Sequence, residues 1–354
     1  MPLLPVFGHD AVQARLRTTH ARGAMPASVL LHGPRGTGKQ RLALWIGAML
    51  LCTHDGVDVP CGRCQSCMYV GRLQHPDLYW FFPVPRPEGG DRSPEEVLGD
   101  VRTAMQERAA TGTWGPSSGM EAHFIDSVRA MVRSAAARPA MARRSVLIVG
   151  DAERMVVQAG ADQAANAFLK LLEEPPAHTT LVLTSSEPGL LLPTIRSRVV
   201  ALRVPRVGDD AVQAFAEATR AGGAGVPVVR GGVARAAGCP GALLAGADDD
   251  ASDARAASWI TASRGGDAAR FVAVLSEKPV AARGAFADAL DALSLRLHTA
   301  ARERARDGRA GDAVRVARLQ DAVEAAQARA DGNVNPALIT AELLRELSAA
   351  GVRG

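Results

Sequence analysis

A short apolar run, Ser28–His32, leads into the octet Gly33-Pro34-Arg35-Gly36-Thr37-Gly38-Lys39-Gln40, which opens into a helix-patterned stretch, Lys39–Cys52. A glycine-rich turn between a buried strand and a helix, at the G-x-x-x-x-G-K spacing, is the signature of a phosphate-binding loop. The glycines let backbone N–H groups converge on phosphate oxygens, the helix N-terminus adds positive potential, and the lysine ammonium reaches the terminal phosphates. Gly33, Pro34, Gly36, Thr37, Gly38, Lys39 and Gln40 are therefore the expected nucleotide contacts. Gln40 departs from the pattern, because it stands where a serine or threonine hydroxyl would coordinate Mg²⁺.

Such a loop demands a parallel sheet, and the rest of the chain supplies one. Apolar runs at Ser145–Val149, Thr180–Thr184 and Val199–Val204 alternate with helical patterns at Lys39–Cys52, Glu121–Ala137 and Ala161–Glu174, as buried parallel strands with crossover helices do. With 47% hydrophobic and only 4% aromatic residues, the core must be built from Ala, Leu and Val. A Pro/Gly-rich stretch, 83–119, reads as a surface insertion holding one helix over Pro94–Ala110. The expected architecture is α/β, in three domains. Residues 1–204 form the phosphate-loop sheet domain. Residues 205–250 form a small helical lid, interrupted at Gly222, Gly223 and Gly225, and residues 251–354 a helical bundle over Asp253–Arg264, Asp267–Asp307, Gly311–Asp331 and Pro336–Ala350.

The run after the second strand ends in Asp151, either the acid that holds Mg²⁺ or a strand-end cap. Ala152 follows where an ATPase needs the glutamate that activates water. Ser185 or Ser186 ends the next strand as a candidate polar sensor or simple turn former. Cys52, Cys61, Cys64 and Cys67 form C-x8-C-x2-C-x2-C, enough soft thiolates for one closed tetrahedral zinc site of structural type. His54 is a conceivable substitute ligand, Cys239 reads as a free thiol and His75 as structural.

The net charge is +4, and among 41 basic residues only Lys39, Lys170 and Lys278 are lysine. That arginine bias alone points to no nucleic-acid patch. The longest apolar stretch, Leu42–Cys52, falls short of the ~20 residues of a membrane span, and no secretory signal is visible, so a cytoplasmic protein is expected.

Several motifs together resemble one family, the delta-prime subunits of bacterial DNA polymerase III clamp loaders. They are the phosphate loop, Cys61-Gly-Arg-Cys64-Gln-Ser-Cys67, His75-Pro76-Asp77, Asn166-Ala-Phe-Leu-Lys-Leu-Leu-Glu-Glu-Pro-Pro176 and Thr194-Ile-Arg-Ser197-Arg198. The resemblance implies an AAA+ domain, a helical lid and a collar domain that oligomerises with related subunits. It implies delta and gamma/tau subunits as partners and, through the assembled complex, the sliding clamp and primer-template DNA, with no membrane. It also implies that Ser197-Arg198 matches the family's Ser-Arg-Cys motif, with Val199 in place of cysteine, so that Arg198 reaches ATP held by a neighbour. Arg196 and Arg203 read as structural or solvent-facing. Gly238-Cys-Pro-Gly-Ala242 resembles the segment that carries a cis sensor arginine, with Ala242 in its place. The magnesium hydroxyl, the glutamate and the sensor arginine are all replaced while the trans arginine is kept. A stator is expected, with ATP or ADP bound without hydrolysis and no ATPase activity alone. The alternative is an autonomous AAA+ ATPase of the gamma/tau motor type.

Overall fold

The computed structural model describes residues 3–54, 56, 58–85, 92–114, 121–155, 168–221, 233–244, 247–277, 283–331 and 334–350. The chain separates into two compact units. One comprises Met1–Ser117, Glu121–Val229 and Gly238–Leu244; the other comprises Ser118–Met120, Arg230–Ala237 and Ala245–Gly354.

The first unit is built on five parallel strands in the order β2-β3-β4-β1-β5: β1 Ser28–His32, β2 Leu78–Phe81, β3 Ser145–Val149, β4 Thr179–Ser185 and β5 Val200–Arg203. Val29 lies beside Val182 of β4 and Val200 of β5, and Leu147 of β3 pairs Tyr79 and Leu181. Strands β1, β3 and β4 are buried almost throughout, as expected of parallel strands covered on both faces. The helices are α1 Asp10–Ala21, α2 Lys39–Leu51, α3 Gln65–Gly71, α4 Pro94–Thr111 and α5 Ile125–Ala136. They continue with helical residues 168–173 (α6), α7 Pro193–Arg196 and α8 Asp209–Ala221. Leu42, Ile46, Met49, Met131, Phe168 and Ile195 fill one continuous core with the strands.

The parallel α/β class and the four expected strands are found. The fifth strand, β2, extends the sheet beyond β3. Its aromatic run Leu78-Tyr-Trp-Phe81 is anchored because Asp77 accepts the backbone N–H groups of Ala140, Met141 and Ala142 at 2.5, 2.9 and 2.6 Å. The insertion helix α4 begins with a capping box, in which Ser93 Oγ accepts the Glu96 N–H and Glu96 reaches back to the Ser93 N–H. It lays Arg108 over Phe82, 3.4 Å from the ring centroid, and over Trp80 at 4.8 Å. Of the expected helix Ala161–Glu174, residues 161–167 lie outside the described residues.

The second unit is helical: α9 Val233–Ala236, α10 Ala247–Arg264, α11 Asp267–Leu275, α12 Arg283–Arg306, α13 Ala310–Asp331 and α14 Pro336–Ala349. The segment expected as continuous over Asp267–Asp307 is divided into α11 and α12. Trp259, Phe286, Leu293, Leu297, Val323, Ile339 and Leu343 form its core. Arg296 grips Asp253 through two 2.7 Å hydrogen bonds, and Trp259 Nε1 donates to Glu277. No described helix is long and apolar enough to cross a membrane.

Candidate functional site

The loop Gly33–Gly38 leaves the carboxyl end of β1, and Asp151 and Ser186 leave the ends of β3 and β4 beside it. The crevice outside the carboxyl ends of such strands is where open α/β sheets bind ligands. Gly33 is held by its N–H on Ser185 O, and a Cβ there would lie 2.2 Å from Val204 O, so no other residue fits. Gly38, at φ +90°, caps the start of α2.

Lys39 is buried, and its ammonium turns back into the loop. It donates to Gly33 O, Pro34 O and Ser186 Oγ, each at 2.9 Å. Burial pushes its pKa down, opposed by the carboxylates of Asp151 and Glu153. Of the two candidate serines, Ser186 therefore faces the lysine, while Ser185 Oγ accepts the Glu187 N–H. Thr37 is also buried, and its carbonyl pairs with His9 Nε2 at 2.7 Å.

Gln40 Nε2 donates to Asp151 Oδ2 at 3.1 Å, and a Cβ on Gly150 would lie 2.8 Å from the Gln40 amide. The amide thus spans from the first turn of α2 to the acid that ends β3. A divalent ion at that point would need an oxygen from each side; here it is the Gln40 N–H, not its Oε1, that faces the acid. Asp151 itself is fixed in a left-handed conformation, φ +47°, with its N–H on Thr184 Oγ1 at 3.0 Å. Ala152 is buried and apolar. Glu153 is turned inward, its Oε1 accepting the Ser186 N–H, and burial pushes its pKa up. On the other side of the loop, the turn Pro240–Leu243 packs against it: Gly241 N–H donates to Gly36 O at 2.9 Å, and Ala242 follows directly. Cys239, remote in sequence, is buried beside Gly36 and accepts from Arg206 Nη1 at 3.0 Å.

Arg198 and Ser197 lie just after α7, away from the loop's own hydrogen bonds. Arg198 Nη1 donates to Thr194 O at 2.9 Å and Ser197 Oγ at 3.2 Å, while Nη2 donates to Glu173 Oε1 at 2.7 Å. The residue is exposed.

The four cysteines converge. Their Sγ atoms all lie within 4.8 Å of one another, with Cys52–Cys64 at 3.9 Å and Cys61–Cys67 at 4.0 Å. Ligands about 2.3 Å from one tetrahedral zinc sit about 3.8 Å apart, so the set fits that ion. Cys52 comes from the end of α2 and Cys67 from the first turn of α3. The Cys64 N–H points at Cys61 Sγ and the Cys67 N–H at Cys64 Sγ, at 3.3 and 3.4 Å. Burial pushes the Cys52 and Cys67 thiols up, whereas at Cys61 and Cys64 hydrogen bonds outweigh burial and hold the thiols below their usual range. His54 lies against Cys61, its Nδ1 3.4 Å from Sγ, and does not join the four. His75 turns onto its own chain, where Nδ1 accepts the Asp77 N–H.

Among the contacts absent from the sequence reading are Gln40–Asp151, Lys39–Ser186, Arg198–Glu173 and Cys239–Arg206. Only the Glu-Glu-Pro-Pro sequence beside Glu173 offered a signal, and it names no partner.

A family model described as DNA polymerase III, delta subunit, matches residues 8–208. DNA polymerase III subunit delta' of Pseudomonas aeruginosa is 33% identical over 182 residues, 51% of this chain and 44% of that protein. Subunit gamma/tau of Mycobacterium tuberculosis is 29% identical over 193 residues, 54% of this chain and 27% of that protein. The alignments thus span less than half the length of these relatives. Among solved structures, a gamma subunit-related protein of Thermotoga maritima is 16% identical, covering 94% of this chain and 99% of its own, with a TM-score of 0.36.

Proposed function

The chain belongs to the DNA polymerase III, delta subunit family, and from that membership we propose a non-hydrolysing, delta-prime-like stator of a clamp-loader complex. In this reading it assembles with delta and gamma/tau subunits and helps load the sliding clamp onto primer-template DNA. Residues 1–204 form the AAA+ part, 205–250 the lid and 251–354 the collar. The observation that carries the reading is the Gln40 amide on the Asp151 carboxylate at 3.1 Å. The bond satisfies with a neutral donor the acid that an ATPase reserves for Mg²⁺. The inward Lys39 ammonium and the apolar Ala152 support the same conclusion. ATP or ADP held by Gly33, Pro34, Gly36, Thr37, Gly38 and Lys39 would have to draw the ammonium from its loop carbonyls.

In the same reading Arg198 serves a neighbouring protomer. A guanidinium brought in trans neutralises charge developing on the transferred phosphoryl group, an effect of about 10³- to 10⁵-fold in well-studied systems. Ser197 accepts from that guanidinium and steadies it. Zinc held by Cys52, Cys61, Cys64 and Cys67 braces the knuckle and takes no part in catalysis.

The test has two arms. Purified chain with ATP and Mg²⁺ should give no turnover; sustained hydrolysis would favour the gamma/tau motor reading. In the reconstituted complex with clamp and primed DNA, Arg198→Ala should cut ATP hydrolysis at least tenfold, and an unchanged rate would remove the finger role.

A further inference from the structure

We propose that Glu173 is a positioning residue for Arg198, a latch that holds the finger on its own chain until a neighbour's triphosphate draws it away. The proposal rests on the trans-finger reading of Arg198. Two elements converge on the guanidinium. Thr194 O and Ser197 Oγ, from α7 and the residue after it, engage Nη1, while Glu173 Oε1, from the last helical residue of α6, engages Nη2 at 2.7 Å. Glu174-Pro175-Pro176 follows at once, and the two prolines end the helix there, so the carboxylate is presented from a defined point.

The strength of the contact decides what it can do. The Arg198 and Glu173 side chains are 33% and 48% exposed, and exposed ion pairs contribute only about 0–1 kcal/mol. Such a pair orients the arginine without locking it, and a polyanionic triphosphate can displace it. While the pair is made, however, a carboxylate in contact cancels the guanidinium's charge toward any other anion. A finger still paired to Glu173 would stabilise a phosphoryl transition state poorly. The Thr194 and Ser197 contacts carry no opposing charge and can persist when the finger engages. Glu173 therefore suppresses idle hydrolysis by the neighbour, and its effect passes entirely through Arg198.

The test uses the whole reconstituted complex, with assembly checked by gel filtration, and compares wild type, Glu173→Gln, Arg198→Ala and the double variant. Glu173→Gln should raise ATP hydrolysis in the absence of clamp and DNA by about two- to five-fold, the equivalent of a surface ion pair. The rise should appear in kcat with KM for ATP unchanged, because the finger acts on charge that develops in the transition state. The double variant should match Arg198→Ala. An idle rate that is unchanged or lowered in Glu173→Gln, with Arg198→Ala still defective, overturns the latch and leaves the finger standing. The same rise in the Arg198→Ala background also overturns it. If Arg198→Ala has no effect at all, the finger reading fails first.

Discussion

In the non-hydrolysing reading proposed above, a single side chain, Gln40, closes the metal site of the phosphate loop. A threonine there would present one hydroxyl to an ion; the glutamine amide instead reaches Asp151 across 3.1 Å and occupies the acid itself. Nucleotide affinity of the isolated chain, measured by calorimetry, should therefore be indifferent to Mg²⁺. Gln40→Thr, which frees Asp151, should make binding magnesium-dependent while Ala152 still prevents turnover. A second residue-scale consequence concerns His123. Its imidazole is fully enclosed, Nε2 donating to Gly150 O at 2.7 Å, and burial pushes its pKa down from 6.5 to about 4. The Gly150 bond and Asp151 oppose that shift, and Arg154 adds to it. The unfolded chain takes up a proton near pH 6.5 and the folded chain only near 4, so this group's stabilisation is present above 6.5 and is lost as pH falls through that window. The loss amounts to about 3 kcal/mol at most. Urea denaturation at pH 7 and pH 5 should show it, and His123→Gln, which keeps a donor and does not titrate, should flatten the dependence.

At the scale of elements, sequence and structure agree where the information is local. The phosphate loop, the strands of Val, Leu and Ile and the three cysteines of Cys61–Cys67 are read from residues a few positions apart, and the fold places them as spacing suggests. What stayed illegible is set by distant partners. Gln40 meets Asp151 across 111 residues, and Lys39 meets Ser186 across 147. Strand β2 is four residues long and aromatic, and its place at the sheet edge depends on Asp77 gripping Ala140–Ala142, more than 60 positions away. Helix α11 ends at Leu275, four positions ahead of the proline that the sequence carries at 279 within an otherwise helical composition. The knuckle yields an element-scale prediction. Metal analysis of purified chain should give one zinc per chain, and Cys64→Ser should abolish it. Because an ion held there would join the end of α2 to the start of α3, removing it should cost about 2 kcal/mol or more. That corresponds to a fall in Tm of roughly 4–8 °C for a domain of this size.

Across the molecule the two units differ in what they leave uncovered. The first covers strands β1, β3 and β4, leaves the edge strand β5 largely exposed, and keeps its charged groups engaged at the crevice. The second has a core of ordinary composition, yet α11 turns Phe271, Val272 and Leu275 outward, 64%, 61% and 67% exposed. These positions fall within one stripe of about 100° along the helix, and the opposite side of α11 packs on α10 and α14. Single exposed apolar residues need no explanation, but three on one stripe suit a protein-facing surface in the collar reading proposed above. In a collar that surface would bury against a related subunit. Replacing Phe271 and Leu275 together by aspartate introduces two charges that cannot be buried unpaired without large cost, and removes little from the unit's own core, since both side chains already stand in water. The double variant should therefore keep the Tm of the isolated chain within about 2 °C and fail to co-elute with partner subunits. If it assembles normally, the collar contact lies on another face; if the isolated chain unfolds, α11 serves the core rather than a partner.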